Sequence, residues 1–152
     1  MLISNKPISE KSKNTIYIII LLVFSILANQ YYGYQGVNPI DSFFSFNSGY
    51  DVLNGYFPFK DYWTITGPFI DFSLAFFFKI FGVSWFSYVF YASFFNFIFT
   101  ILTFYTLYKF KLKTNYCFFY SFLVAILAYP SAGTPYVDHQ STYFSIISVY
   151  FF

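Results

Sequence analysis

The chain has 152 residues, of which 58% are hydrophobic and only 9% are charged, whereas roughly a quarter of the residues in an ordinary soluble domain are charged. A soluble domain of this size could not hide so much apolar surface, because a small fold leaves much of its surface in water. The net charge of +2 is too small and scattered to indicate nucleic-acid binding, and the single cysteine excludes a disulfide framework within the chain. The composition therefore predicts an integral membrane protein.

The first apolar segment, residues 15–33, is uncharged and long enough to cross the hydrocarbon core of a bilayer. No small-residue cleavage pattern follows its apolar part, which favours a retained span over a signal peptide. Residues 1–14 precede it and carry three lysines against one glutamate. By the positive-inside rule, this segment is predicted to be a cytoplasmic tail.

Residues 69–81 form an ambiguous segment, because they are few for a span and include Asp71 and Lys79, which are expected to extend toward lipid headgroups. The next apolar segment, residues 85–108, is uncharged and ends at the lysines of residues 109–113. If residues 69–81 crossed the membrane, those lysines would face outward, against the positive-inside rule. We therefore predict that residues 69–81 form an interfacial helix on the outer face.

Two more apolar segments follow, residues 116–129 and a segment that begins near Thr142. Residues 34–83 then form a long outer loop, and residues 131–140 a short one. The predicted fold is an all-α polytopic membrane protein with about four transmembrane helices, the last incomplete, and two juxtamembrane helices in the first outer loop. Because about ten apolar residues cannot cross the core, residues 1–152 are expected to be the N-terminal part of one longer transmembrane domain.

The long outer loop opens with a helical pattern. Apolar residues recur there at helical spacing, while Ser45 and Ser48 belong to the polar remainder. The pattern predicts an amphipathic surface helix, capped at its start by Asp41 and ended at Asn54-Gly55. The apolar residues at helical spacing are Phe43, Phe46, Tyr50 and Leu53.

Several motifs of this loop follow one another in a fixed order. An acid follows the first span, the surface helix ends in L-x-G-x-x-P-F-x-D-Y, and Gly-Pro opens an apolar helix that ends in Phe-Gly. In this order they resemble the N-terminal region of GT-C-type membrane glycosyltransferases, in the protein O-mannosyltransferase and aminoarabinose-transferase-like branch. The resemblance covers residues 13–152. The matching residues are Asp41, Leu53, Gly55, Pro58, Phe59, Asp61, Tyr62, Gly67, Pro68, Phe81 and Gly82.

The resemblance implies transfer of a sugar from a polyprenyl-phosphate carrier to a lipid, glycan or protein acceptor on the outer face. Asp41 matches the first-loop acid of the family and is the candidate catalytic base, since a carboxylate there can accept the proton that the acceptor hydroxyl loses. The same residue type would also suit a helix cap with no catalytic role. In the family, later spans help to close the donor site, so the resemblance does not imply that a chain with so few spans is active alone.

Four other residues are candidates for substrate binding. Asp138 and His139 lie in the short outer loop, and ionisable groups at a membrane edge are candidates for functional residues by default. By the resemblance, Asp138 would help to hold the donor phosphate, in some members through a divalent metal, for which Asp41 and Asp138 are the only candidate ligands. His139 either binds phosphate or is an interfacial hydrogen-bonding residue. Lys60 is a candidate for steering a lipid phosphate, and Asp61 is expected to hold its loop through backbone hydrogen bonds rather than to act in catalysis.

Two other classes of protein compete with the enzyme. A non-enzymatic membrane scaffold or assembly partner would tolerate loss of Asp41 without any effect on sugar transfer. A transporter fragment should carry more polar residues in its spans than Asn96 and scattered Ser and Thr. For the enzyme, the expected location is the bacterial inner membrane, and the expected partners are the lipid-linked sugar, its acceptor and membrane lipids, with no nucleic acid.

Overall fold

The computed structural model describes residues 9–37, 39–65, 67–128 and 133–151. These residues form α-helices and no β-strand. The predicted all-α class is therefore confirmed. The six helices are α1 (Glu10–Gly33), α2 (Pro39–Leu53), α3 (Pro68–Phe81), α4 (Trp85–Lys109), α5 (Thr114–Leu127) and α6 (Val137–Tyr150).

Two helices, α1 and α4, are long and apolar enough to cross a membrane, as judged by length and composition. With 24 and 25 residues they are about 36 Å long or more, against a hydrocarbon core of about 30 Å. Helix α5 is apolar, but its 14 residues give a length of only about 21 Å. The number of spans therefore stays a prediction.

Helices α1, α4 and α5 form a three-helix bundle in which α4 runs antiparallel to both neighbours. Its interior contains an apolar layer of Leu21, Phe104 and Cys117, with one residue from each helix. Beside this layer, Tyr17 stacks on Phe118 with a ring-centroid distance of 4.2 Å. One face of each helix thus packs against the other two helices.

A polar layer lies farther along the same bundle. The amide nitrogen of Asn96 lies 2.9 Å from the carbonyl oxygen of Ala125 and 3.2 Å from Asn29 Oδ1, and it donates to both. Asn29 in turn donates to the carbonyl oxygen of Gly133 at 3.1 Å. The partner helices expected for a polar residue within an apolar helix are therefore present, and the segment before α6 is tied to the bundle.

The two ends of the bundle carry different groups. At one end, the Tyr17 hydroxyl donates to Asn115 Oδ1 at 3.0 Å, so the turn that carries the lysines of residues 109–113 lies beside the start of α1. At the other end, Trp85 Nε1 donates to the carbonyl oxygen of Gly33 at 2.9 Å. This arrangement of ends is the one expected if residues 69–81 do not cross a membrane, while the orientation of the bundle in a membrane stays a prediction.

The start of α2 differs from the prediction. The helix begins at Pro39, so Asp41 lies within its first turn, and the prediction that Asp41 is the N-cap was wrong. Proline is favoured at the first position of a helix because its fixed φ is already helical and its missing N–H is not needed there. Pro39 therefore starts the helix two residues before Asp41.

The buried face of α2 also differs from the prediction. Ser45 and Ser48 are buried, whereas Phe43 is about half exposed. A Cβ atom on Gly49 would lie 2.8 Å from the side chain of Leu74 on α3. The expectation that the serines form an outer polar face was wrong, because this face of α2 packs against other helices: Gly49 approaches α3, and Ser45 is hydrogen-bonded to Tyr88 on α4.

Asp71 on α3 is wholly buried, so the expectation that it reaches lipid headgroups was wrong, although Lys79 is exposed. The Tyr62 hydroxyl donates to Asp71 Oδ2 at 2.9 Å and to the carbonyl oxygen of Ser48 at 3.3 Å. Burial, together with the Asp71 carboxylate, raises the pKa of Tyr62 above its ordinary value, so the hydroxyl keeps its proton and remains a donor. This contact holds the loop before α3 against α2 and α3.

Two segment boundaries in the structure differ from the predicted ones. Helix α6 begins at Val137, so Asp138 and His139 lie in its first turn and not in a loop, and the Thr142 hydroxyl donates to the carbonyl oxygen of Asp138 at 2.7 Å. Helix α1 begins at Glu10 and therefore takes in part of the predicted tail. Residues 1–8 of that tail and residues 131–132 of the short outer loop lie outside the described residues.

Candidate active site

A cleft of about 210 Å³ lies between the start of α2, the start of α6 and the loop that precedes α3. It lies near the end of the bundle that carries Gly33 and Gly133. We call it the acidic cleft, because two of its lining residues are aspartates. The residues described as lining it are Asp41, Phe44, Ser45, Ile65, Tyr136, Val137 and Asp138.

Contacts with α4 and with the segment before α6 fix Asp41 in this cleft. The Tyr88 hydroxyl on α4 donates to the carbonyl oxygen of Ser42 at 2.7 Å. The Ser42 hydroxyl is hydrogen-bonded to that of Thr134 at 3.2 Å. Both contacts are buried, so two other parts of the chain hold Ser42, the residue that follows Asp41 in the first turn of α2.

Tyr136 connects the two acidic sides of the cleft. Its hydroxyl donates to Asp41 Oδ2 at 3.4 Å, a long hydrogen bond, while the residue itself stands two positions before Asp138. The negative charge of Asp41 raises the pKa of Tyr136 above its ordinary value, and partial burial and Asp138 add to this effect. Tyr136 therefore stays protonated and can donate to a carboxylate over the whole physiological pH range.

The acidic cleft has an electrostatic preference that follows from its lining. Asp41 and Asp138 are its only charged members among the described residues. Two carboxylates without a basic neighbour favour a cation, or a group that becomes positive during a reaction, and they repel a phosphate. The cleft is also smaller than the roughly 300 Å³ at which ligand pockets usually begin, so it suits one polar group better than a whole lipid-linked substrate.

A metal site is not complete in this cleft. The described residues contain no group of three or more His, Cys, Asp or Glu side chains that could hold a metal ion. Asp41 and Asp138, the predicted candidate ligands, supply only two carboxylates, whereas hard divalent cations take about six or more oxygen ligands. These two side chains would therefore leave most of the coordination positions of such an ion to other groups.

His139, a predicted substrate-binding residue, does not line the acidic cleft. It is partly buried between two aromatic rings, 5.5 Å from the ring of Tyr136 and 6.5 Å from that of Tyr143, measured between ring centroids. Burial lowers the pKa of His139 below its ordinary value, and Asp138 opposes this effect. The imidazole is therefore mainly neutral at physiological pH, which disfavours the predicted role as a cation for phosphate.

Lys60 and Asp61, the two other predicted binding residues, lie in the loop before α3 and outside the acidic cleft. Asp61 Oδ2 accepts a hydrogen bond from the backbone N–H of Phe57 at 2.8 Å, which confirms the expected backbone contact. The Lys60 side chain is 79% exposed, and its Nζ lies 3.9 Å from Asp61 Oδ1. The structure therefore places Asp41 and Asp138 on one cleft, and it places Lys60 and Asp61 elsewhere.

Sequence reasoning missed the other side chains that define the cleft. Tyr136 stands beside the predicted Asp138 in the chain, but no spacing links it to Asp41, from which it is separated by 95 positions. Ser45 and Ile65 carry no functional signal in the sequence. An aromatic residue with a hydroxyl beside a candidate acid was the only available indication of this arrangement.

Comparisons of the chain with protein-family models, with curated protein sequences and with solved structures found no match. The class of protein is therefore described here only by the fold and the site of this chain. The described chain is all-helical, has two helices long enough to cross a membrane, and carries an acidic cleft near one end of its bundle.

Proposed function

We propose that this chain belongs to a membrane glycosyltransferase that moves a sugar from a polyprenyl-phosphate carrier to an acceptor hydroxyl on the outer face of the bacterial inner membrane, with its N-terminus in the cytoplasm. The proposal rests on the position of Asp41 and Asp138, which come from distant parts of the chain and line the same cleft. These are the two acids for which the resemblance to GT-C enzymes implies a role in the reaction and in donor binding.

The chemistry of the acidic cleft suits this reaction. The acceptor hydroxyl attacks the anomeric carbon and gives its proton to Asp41, while the bond from that carbon to the phosphate oxygen breaks and its electron pair leaves with the phosphate. Positive charge builds on the sugar during this exchange. Asp138, on the same cleft, stabilises that charge by electrostatic attraction.

A membrane location for the chain is supported by the outward face of α1. Four of its large apolar side chains are between 44% and 58% exposed and follow one another at helical spacing. Such a stripe is costly in water, at about 25 cal/mol for each Å² of apolar surface, and costs nothing against lipid tails. The four residues are Ile16, Ile19, Val23 and Leu27.

The test is sugar transfer in proteoliposomes by the protein to which this chain belongs, because the later spans of the resembling family help to close the donor site. Radiolabelled sugars carried on polyprenyl phosphate are supplied as a panel, and release of free polyprenyl phosphate is measured. We expect one donor to react, and we expect Asp41→Asn to lower kcat/KM for it by at least about a hundredfold, as for loss of a general base. Asp138→Asn is expected to lower kcat/KM by a smaller factor, since its role is electrostatic.

Asp51→Asn is the matched control, because Asp51 lies on the same helix as Asp41 but does not line the acidic cleft. Its activity should equal that of the unaltered chain. Equal turnover by Asp41→Asn and the unaltered chain would refute the proposed base. A chain that reacts with no donor in the panel while it still assembles with other membrane proteins would favour the scaffold function.

A further inference from the structure

Most of the lysines lie at one end of the three-helix bundle, away from the acidic cleft. Residues 11–13 of α1 contribute two lysines, and residues 109–113, at the turn between α4 and α5, contribute three, so five of the eight lysines of the chain lie there. We call these five side chains the lysine patch. Its members are Lys11, Lys13, Lys109, Lys111 and Lys113.

Contacts between α1 and α5 bring the two lysine segments together. The Tyr17 hydroxyl donates to Asn115 Oδ1 at 3.0 Å, and Asn115 stands two positions after Lys113. The ammonium group of Lys13 lies over the ring of Tyr17, 5.7 Å from its centroid. Lys13 and Lys113 therefore lie at the same corner of the bundle, although they are far apart in the chain.

The lysine patch has almost no acidic neighbours. Glu10 is the only acid of the chain within residues 9–17 or 105–118. The ion pair found among the described residues, Lys60 with Asp61, lies elsewhere. Four of the five lysines are exposed, and Lys13 is partly buried. The patch therefore carries an excess of positive charge that the described part of the chain does not neutralise, and its members repel one another.

Lys111 occupies a position at which local stability favours glycine. Its φ is +59°, in the left-handed region. Its N–H donates to the carbonyl oxygen of Tyr108 at 3.0 Å, and the N–H of Leu112 donates to that of Leu107 at 3.3 Å, which is the hydrogen-bond pattern of a Schellman motif. Glycine is the usual residue here, because a Cβ atom makes the left-handed conformation unfavourable. The lysine therefore makes this turn less stable than a glycine would.

Lys113 likewise occupies a helix cap that favours another residue type. It is the N-cap of α5, and its side chain makes no capping hydrogen bond. Ser, Thr, Asp and Asn are preferred at this position, because their side-chain oxygens accept hydrogen bonds from the first N–H groups of the helix. A positive charge is also repelled by the positive end of the helix dipole. Residues that break local rules in this way are expected at functional sites.

We propose that the lysine patch binds the phosphate of an anionic phospholipid headgroup in the leaflet that surrounds this end of the bundle. A bound phosphate offsets the repulsion among the lysines, and the start of α5 favours an anion at the same place. Phe110 and Tyr116, 72% and 56% exposed beside the lysines, are aromatic residues of the kind found at headgroup depth. The exposed side chain of Ile16, one turn after Lys13, offers a contact for an acyl chain. These apolar neighbours favour a lipid over a soluble anion.

The test is a titration of the full protein in neutral detergent with dioleoyl phosphatidylglycerol, in which native mass spectrometry gives the dissociation constant of the first bound lipid. We expect phosphatidylglycerol to bind at least about tenfold more tightly than dioleoyl phosphatidylcholine, and this preference should shrink as the concentration of ammonium acetate rises. Equal affinity for the two lipids would refute the proposal. Displacement of the lipid by an equal concentration of glycerol 3-phosphate would identify the ligand as a soluble anion and would also refute it.

Lys111→Gly separates lipid binding from folding. It is expected to weaken phosphatidylglycerol binding about fivefold, the contribution of one lysine near an anionic lipid surface. It is also expected to raise the melting temperature by about 2–4 °C, because glycine favours the left-handed conformation. Lys113→Ser should change affinity and stability in the same two directions, since serine is a preferred N-cap. A lysine that serves only the fold would not give these opposite changes, and unchanged affinity of both variants would refute the site.

Lys79→Gln is the control for net charge, because Lys79 is an exposed lysine on α3 and outside the lysine patch. Its affinity for phosphatidylglycerol should stay within about twofold of that of the unaltered protein, since charges farther away than the screening length contribute little. An equal loss of affinity in Lys79→Gln and Lys111→Gly would mean that binding follows net charge, and it would refute a site at the lysine patch.

This inference requires the chain to lie in a membrane, as in the proposed function, but it does not require sugar transfer. If the patch variants weaken phosphatidylglycerol binding while the protein transfers no sugar, the lipid site stands and the glycosyltransferase function is refuted. If the protein transfers sugar but binds phosphatidylglycerol no better than phosphatidylcholine, the function stands and the lipid site is refuted.

Discussion

The hydroxyl of Tyr136 lies 3.4 Å from Asp41 Oδ2, although the two residues are 95 positions apart in the chain. This contact joins the start of α2 to the segment that opens α6, and it lies in the wall of the acidic cleft. A hydrogen bond from a neutral donor restricts the rotation of a carboxylate without removing its charge. In the proposed function, Tyr136 would therefore act as a positioning residue for Asp41.

Replacement of Tyr136 by Phe tests this role. We expect kcat/KM for sugar transfer to fall about two- to tenfold, the effect of one hydrogen bond, with little change in thermal stability. Tyr34→Phe is the control, because Tyr34 is exposed and does not line the acidic cleft. If both variants have the same kcat/KM, the contact with Asp41 has no part in the reaction.

The polar layer of the bundle predicts a stability effect. Asn96→Leu removes a donor to Asn29 and to Ala125, so two buried acceptors lose a hydrogen bond. We expect the free energy of unfolding to fall by about 1–2 kcal/mol, measured by denaturant titration in detergent micelles. Asn54→Leu, at an exposed position after α2, should have a smaller effect. Equal stability of the two variants would mean that the polar layer does not stabilise the bundle.

Gly133 is predicted to tolerate no side chain. Its φ is +59°, and a Cβ atom would collide with the carbonyl oxygen of Asn29 and the backbone nitrogen of Gly33. Because these are backbone atoms that cannot move aside, Gly133→Ala should lower the free energy of unfolding by more than about 3 kcal/mol. Gly36→Ala is the matched control, since nothing lies within 4 Å of a Cβ there. A stable Gly133→Ala protein would contradict this close packing.

His139, the only histidine, predicts a pH dependence of stability. Burial lowers its pKa in the folded chain, so the unfolded chain binds the proton more readily. Stability should therefore fall as pH decreases through the ordinary histidine value of about 6.5 and toward the lower folded value. Thermal unfolding between pH 7.5 and about pH 5 should show a steeper loss for the unaltered chain than for His139→Gln. Parallel curves would exclude this linkage.

The arrangement of bundle ends predicts which positions share one side of a membrane. Single cysteines at Gly36, Phe110 and Ser141 of a Cys117→Ala chain are all at exposed positions. With an impermeant thiol reagent, Gly36 and Ser141 should react from the outside of intact cells, and Phe110 only after lysis. Labelling of Phe110 from outside would place the lysine turn on the outer face and overturn the proposed orientation.

The helix positions were largely predictable, because they depend on the local spacing of apolar residues and on nearby residues that end a helix, such as glycine. The apolar run of α4 was expected to end at residue 108 and ends at Lys109, and Gly82 follows α3 as expected. The contacts of Asn96 agree with elementary physics, since a polar group in an apolar helix needs a hydrogen-bond partner. Among the site residues, Asp41 was named because it matches the first-loop acid of the resembling family, and Asp138 because ionisable groups at a membrane edge are candidate functional residues.

Which side chains are buried, and which distant residues touch, depends on how closely the helices pack, and no local sequence pattern encodes those distances. Composition and apolar periodicity were enough for the helical class and for most helix positions, whereas the two acids were named from a family resemblance and from their predicted position at a membrane edge. Only the packing of α2 against the other helices turned the serines of α2 inward, and only the folded chain covered Asp71. Likewise, only the folded chain brought Tyr136 to Asp41 and placed Asp138 on the same cleft, because these residues are far apart in sequence and meet only through the packing of whole helices.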